Sequence, residues 1–233
     1  MKALVVLLAA GGLLFAQEGP APWKVPILPG FYLKPEAVDL DRVLPPPPAR
    51  DSVAGEADLE VVRQTQVFRT SQQEAWARFV DQDTVWKAGD LLGPWFTAAN
   101  LPGTARFFWE LAVDGHGLSE AAKARHARPR PPQADASVQP CVPLPPNASY
   151  PSGHSFQAWM RAEVLADLFP EHQKALRDRA HRAAWARVLG GVHYPTDDVG
   201  GHLIALAFVA ELRKRPAYQE ALIRCRREMA RFR

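Results

Sequence analysis

An all-α fold, a single-domain helical bundle behind an extended proline-rich N-terminal segment, is what this sequence predicts, and three observations carry it. From residue 58 onward apolar side chains recur three and four positions apart, the spacing that lines one face of a helix. No stretch shows the period-two alternation that a half-buried strand needs. In the second half Pro and Gly fall at helix-length intervals, where they close one helix and open the next. With 233 residues, 47% hydrophobic and 23% charged, the chain is long enough to bury one core and too apolar to be disordered.

Taken in order, residues 1–16 (MKALVVLLAAGGLLFA) combine Lys2 with a thirteen-residue apolar run from Ala3 to Phe15, the layout of a secretory signal cut near Gln17. That run is too short to span a bilayer comfortably. The longest later apolar run, Leu203 to Ala210, is eight residues, a core helix segment. The processed protein is therefore expected to be periplasmic or secreted and free of membrane. Residues 17–57 hold prolines from Pro20 to Pro48 and read as an extended segment. Residues 58–233 read as the helical domain. Its expected helices run from Asp58, as cap, to Val80; over Thr104–His126, broken near Gly115 and Gly117; and over Gly153–Leu168, Glu171–Leu189, Thr196–Leu212 and Tyr218–Arg231. The basic end, RCRREMARFR, reads as a solvated helix face.

The net charge of +3 is too small to imply a nucleic-acid partner, although 21 of the 28 basic residues are Arg, the side chain that grips phosphate with a planar fork. Cys141 and Cys225 are the only thiols, and export to an oxidising compartment predicts a disulfide between them.

Three clusters carry the chemistry. In YPSGHS, Ser152 can cap a helix and Gly153 lets a ligand approach the backbone; the unpaired N–H groups of a helix start make an anion site. His154 would stand beside that anion as proton donor or acceptor. In AAKARHARPRPP, Lys123 precedes Arg130 by seven positions, and Pro129 and Pro131 stiffen the backbone that aims Arg130. In WARVLGGVHYPTDD, Arg187 is followed by His193 and Asp197, with Pro195 opening a helix whose first turn holds Asp197. A carboxylate there can hold one ring nitrogen of His193 and leave the other as nucleophile or base. Together these suit phosphoryl transfer, which rests on positioning and charge neutralisation. No cofactor is implied, and His116, His126, His172, His181 and His202 show no metal-binding spacing, so the cations are expected to do a metal's work.

The order Lys123, Arg130-Pro131, then Pro151-Ser152-Gly153-His154, then Arg187, His193 and Asp197 resembles the three-part signature of the type 2 phosphatidic acid phosphatase superfamily. FYLKPEAVDLDRVLPPPP and NASYPSGHS are similar, more narrowly, to the bacterial class A non-specific acid phosphatases. That resemblance implies a helical bundle of the phosphatidic acid phosphatase and vanadium haloperoxidase type. It also implies a metal-independent acid phosphatase of broad range, with phosphotransfer if an alcohol replaces water. By resemblance His193 is the nucleophile that becomes a phosphohistidine, Asp197 orients it, and His154 protonates the leaving alcohol and then serves as base. Lys123, Arg130, Arg187, Ser152 and Gly153 hold the phosphate oxygens. The implied partners are small phosphomonoesters and inorganic phosphate, in a homo-oligomer.

Ala186 stands where the family commonly has Ser before the arginine, which removes a hydroxyl contact of about 1 kcal/mol. Asn147 opens a glycosylation sequon, read here as chance. Two other readings stay open: a vanadate-dependent haloperoxidase built on the same site, and a non-catalytic phosphate-binding protein.

Overall fold

The computed structural model describes residues 30–82 and 84–232, and all regular structure among them is helical. The expected signal segment lies outside the described residues. From residue 30 the chain is strapped onto the bundle. Asp114, on the long helix α5 (Pro102–His126), accepts the main-chain N–H groups of Phe31, Tyr32 and Leu33 at 2.7, 2.7 and 3.0 Å. Leu33, Val38, Leu40 and Leu44 are buried in the main core. The segment expected to be extended also contains a 3-10 turn, Pro35–Ala37, and a one-turn helix, α1 (Leu40–Val43).

The helix expected over Asp58–Val80 is two helices. In α2 (Val53–Phe68) the cap is Ser52, whose Oγ accepts the Gly55 N–H at 3.1 Å. In α3 (Ser71–Asp81) Thr70 and Gln73 form a reciprocal capping box, a signal that the continuous apolar spacing masked. Asp58 is no cap: it lies buried inside α2 and binds a partner 70 residues away, Arg128.

Beyond the short α4 (Gly89–Leu92), α5 is unbroken through Gly115 and Gly117. Gly115 serves packing, because a Cβ there would fall 2.2 Å from the ring of Phe156. That ring belongs to α7 (Gly153–Leu168), which follows the four-residue α6 (Pro131–Ala134) and a long loop. The remaining helices are α8 (Gln173–Leu189), α9 (Pro195–Arg213) and α10 (Pro216–Met229). Helix α7 is the central element, packed along α8 and α9, with α5 also against it and α10 against α5, α7 and α9. Phe156 meets Phe208 of α9 edge-on at 5.4 Å, and burying each such side chain contributes about 1.5–3 kcal/mol. One carboxylate ties three helices: Glu163 of α7 accepts from Arg177 of α8 at 2.6 Å and from Arg213 of α9 at 3.2 Å.

The expected disulfide is not formed; both cysteines are free thiols. Cys225 is buried on α10 in the main core, where burial pushes its pKa up to about 11. Cys141 packs on a separate small cluster of Ala77, Val142, Leu189 and Val192, and its thiol faces the Leu189 carbonyl. Each thiol is thus committed to a different part of the core. No helix of the described residues is long and apolar enough to cross a membrane.

Candidate active site

Three stretches converge at one end of the bundle: the exit of α5 with α6, the N-terminus of α7, and the α8–α9 turn. The second and third are joined through the backbone, with the Ser152 N–H donating to the Asp197 carbonyl at 2.9 Å and Ser155 Oγ to the Asp198 carbonyl at 2.8 Å. Helix α9 can come this close because residue 201 is glycine; a Cβ there would fall 2.4 Å from the Ser152 carbonyl oxygen. Ser152 caps α7, its Oγ accepting the Ser155 N–H at 3.2 Å.

His193 is 1% exposed and stands at the focus. Its Nδ1 lies 3.0 Å from Asp197 Oδ2, so the ring proton belongs on Nδ1 and Nε2 presents its lone pair. Asp197 sits at the third position of α9 because its carboxylate also accepts the Tyr194 N–H at 3.0 Å, completing that helix start. The same oxygen accepts from Ser149 Oγ, and Oδ1 accepts from Arg128 Nη1 at 2.7 Å. Arg128 in turn binds Asp58 at 2.7 Å and stacks on the Tyr194 ring at 3.8 Å. Burial, then the charges of Arg130, Lys123, Arg187 and Arg128, hold the His193 pKa well below its ordinary value, so the ring is neutral.

The cations differ in what they hold. Helix α5 ends at Ala127, in a left-handed conformation (φ 43°), which turns the following RPRP back toward the site. Arg130 is 1% exposed; it donates to the Asn147 carbonyl and side chain, both at 2.9 Å, and to the Val192 carbonyl at 2.8 Å. Its Nη1 also lies 3.0 Å from His193 Nε2. Burial and then Arg187 pull its pKa down to about 10. Lys123 directs its ammonium at main-chain carbonyls, Ala148 at 2.5 Å, Pro151 at 2.8 Å and Ser149 at 3.3 Å, and burial pulls its pKa down to about 8. Lys123 thus fastens the loop that leads into Ser152 and adds charge from behind it.

Arg187, fully buried on α8, donates from Nη1 to Asp81 Oδ1 at 2.7 Å, while Nε and Nη2 have no hydrogen-bond partner among the described residues. Ser119 Oγ, which would lie 3.3 Å from a Cβ on Gly153, is likewise unpartnered, as are both oxygens of Asp198. Burial and then the Asp197 charge raise the Asp198 pKa well above the usual carboxylate value. Buried polar groups are normally paired. Three orphaned groups beside one helix N-terminus therefore mark the place of a polar ligand, and Arg187 makes that ligand an anion.

His154, second in α7, is partly exposed, with Nε2 4.0 Å from Asp81 Oδ1. Burial of its ring and the charges of Arg187 and Arg161 hold its pKa well below the usual histidine value, against the Asp81 main chain, which favours the charged form.

Every residue singled out from the sequence as catalytic or anion-binding lies in one of these three stretches. Sequence reasoning missed Asp58, Asp81, Ser119, Arg128, Asn147, Ser149 and Asp198. Arg128 had a usable signal, since it shares the proline-stiffened RPRP with Arg130. Asn147, set aside as a chance sequon, is the principal support of Arg130. Ala186 is fully buried in the main apolar core. Among the described residues no three His, Cys, Asp or Glu side chains gather as a metal site.

Comparison with known proteins agrees with this geometry. The chain is 27% identical over 212 residues to a non-specific acid phosphatase of Providencia stuartii, covering 87% of this chain and 86% of that one. It is 27% identical over 209 residues to one from Salmonella typhimurium, covering 85% and 83%. Among solved structures it shares its fold with a bacterial vanadium-dependent iodoperoxidase, at TM-score 0.61 and 19% identity over 77% of this chain. It spans only 53% of that protein's length. A transmembrane PAP2-type phosphatidylglycerolphosphate phosphatase from Bacillus subtilis superposes at TM-score 0.53 and 20% identity over 70% of this chain and 87% of that one. Residues 107–220, which contain Lys123, Arg130, Ser152, His154, Arg187, His193 and Asp197, match the PAP2 superfamily, so this stretch is a PAP2 superfamily domain.

Proposed function

We propose that the protein is a metal-independent acid phosphatase that hydrolyses phosphomonoesters of broad range through a phosphohistidine on His193. The observation that carries this reading is the fully buried Arg187, whose Nε and Nη2 lack partners beside a neutral, carboxylate-oriented His193. A site that only bound phosphate would need the cations, but not a buried histidine with its lone pair turned toward them.

The phosphoryl group sits against Arg187, the N–H groups opening α7 at Gly153 and His154, and the Ser119 hydroxyl. Its charge gives Arg130 Nη1 an anionic acceptor, which releases the lone pair of His193 Nε2. That lone pair attacks phosphorus and forms the N–P bond as the ester P–O bond breaks. Asp197 stabilises the imidazolium that results, and Lys123 with Arg128 keeps the loop and the carboxylate in place. His154 enters protonated and gives its proton to the departing alkoxide. Neutral His154 then takes a proton from water as the water oxygen attacks phosphorus; the N–P bond breaks and phosphate leaves. An alcohol in place of water gives phosphotransfer.

The protonation states fit an acid enzyme. His193 is held neutral at mildly acid pH, and His154 gains its proton only at low pH or beside a bound anion. The test is hydrolysis of phenyl phosphate from pH 4 to 8 with EDTA present, for wild type and His193→Ala. Chelator-resistant turnover that the variant loses is the expected result. Phosphate binding without turnover at any pH would overturn the enzyme reading.

A further inference from the structure

We infer that Asp81 is a positioning residue that keeps His154 protonated for the leaving group while it holds Arg187 against the phosphate. This rests on the reading of His154 as general acid given above. Asp81 closes α3 and is carried to the site by the packing of α3 on α8. Its Oδ1 is shared: it accepts from Arg187 Nη1 at 2.7 Å and lies 4.0 Å from His154 Nε2. This one residue therefore touches both the cation that faces the anion and the histidine that must carry a proton.

The geometry around His154 explains why such a residue is needed. From α8 comes Arg187 and from α7 itself Arg161, each disfavouring a charged imidazole, while His193 of the α8–α9 turn stands beside it as a neutral ring. Asp198, on α9, has its pKa raised by burial and the Asp197 charge, which weakens it as a counter-charge. Asp81 is the carboxylate set against these groups, from the fourth side, α3. Because its oxygen is bound to Arg187, the carboxylate is held in place before substrate arrives, and so is the Arg187 fork whose Nε and Nη2 remain for the phosphate.

A purely structural clamp and a proton-holding residue differ in what they do to leaving groups. An alkoxide needs a proton as the P–O bond breaks, whereas p-nitrophenolate departs without one. Asp81→Asn removes the negative charge and keeps the shape. Weakening the clamp on Arg187 lowers turnover of every substrate, so the readout is the ratio: in this variant kcat on an alkyl phosphate is expected to fall at least about tenfold further than kcat on p-nitrophenyl phosphate. The alkaline limb of its kcat profile is expected to move to lower pH. Equal losses on both substrates, or a change confined to KM, would overturn the proposal and leave Asp81 as a clamp of Arg187. Asp81→Glu displaces the carboxylate from its 4.0 Å position, so it should raise the same ratio of aryl to alkyl turnover by less than Asn does. It carries the test alone if the Asn variant does not fold, and an unchanged ratio would overturn the proposal. His154→Ala run alongside separates the two levels. If it shows the leaving-group dependence and the Asp81 variants do not, Asp81 alone is misassigned; if it shows none, the general-acid reading fails and this proposal with it.

Discussion

Replacing Asp197 by Asn probes how the site is organised, because the carboxylate accepts from four groups that an amide cannot all serve. Oδ2 takes His193 Nδ1–H, the Tyr194 N–H and the Ser149 hydroxyl, and Oδ1 takes Arg128. An amide must turn its NH₂ toward one side. Toward Arg128 it sets donor against donor; toward His193 it forces the proton onto Nε2 and removes the nucleophilic lone pair. The second arrangement is the better one, since it leaves Arg128 an oxygen. Removing one partner of a buried ion pair costs about 3–5 kcal/mol. The lower end applies because Arg128 keeps Asp58 at 2.7 Å. For a chain of this size about 3 kcal/mol corresponds to a fall in Tm of roughly 6–12 °C. The wrong tautomer should lower kcat by about 10⁴-fold. Phenyl phosphate hydrolysis and thermal unfolding of the purified variant measure both. A variant that melts with wild type, or keeps kcat within tenfold, would refute the claim that this carboxylate sets the tautomer.

Three further outcomes are expected. A bound phosphate dianion restores the proton to His154, so the alkaline limb of kcat should lie at higher pH than that of kcat/KM, and coincident limbs in a steady-state profile would contradict it. Asp198 has its folded pKa raised, so its contribution to stability is fully present below its unfolded pKa and is lost as pH rises through the folded one. Urea unfolding of Asp198→Asn against wild type should therefore favour the variant increasingly from pH 4 upward, whereas a pH-independent difference would refute it. Gly115→Ala drives a methyl into the Phe156 ring at 2.2 Å, an overpacking that should cost about 1–3 kcal/mol in thermal or urea unfolding and lower phosphatase activity by displacing α7.

Much of this was legible in the sequence where the signal is local. Ser152-Gly153 and Pro195 mark the starts of α7 and α9; His154 and Asp197 follow them within a turn, and His193 stands just before Pro195. Spacing also grouped Lys123 with Arg130, and Arg187 with His193. What escaped is long-range. Asp58 meets Arg128 across 70 positions and Asp81 meets Arg187 across 106, and nothing near either aspartate announces its partner. Gly115 was read as a helix break because a glycine required by a neighbouring helix looks the same in sequence as one that ends its own. The cysteines misled for a related reason: export permits a bridge, but only packing decides whether two thiols meet, and these belong to different clusters.

The most direct test is to mix the enzyme with ³²P-labelled phenyl phosphate, quench it within milliseconds in alkali, where phosphohistidine survives, and map the label by peptide mass spectrometry. Label on His193, absent from His193→Ala, with its decay rate matching product release, is the expected result. No covalent label during a full-rate turnover, or label on another side chain, would contradict nucleophilic catalysis by His193.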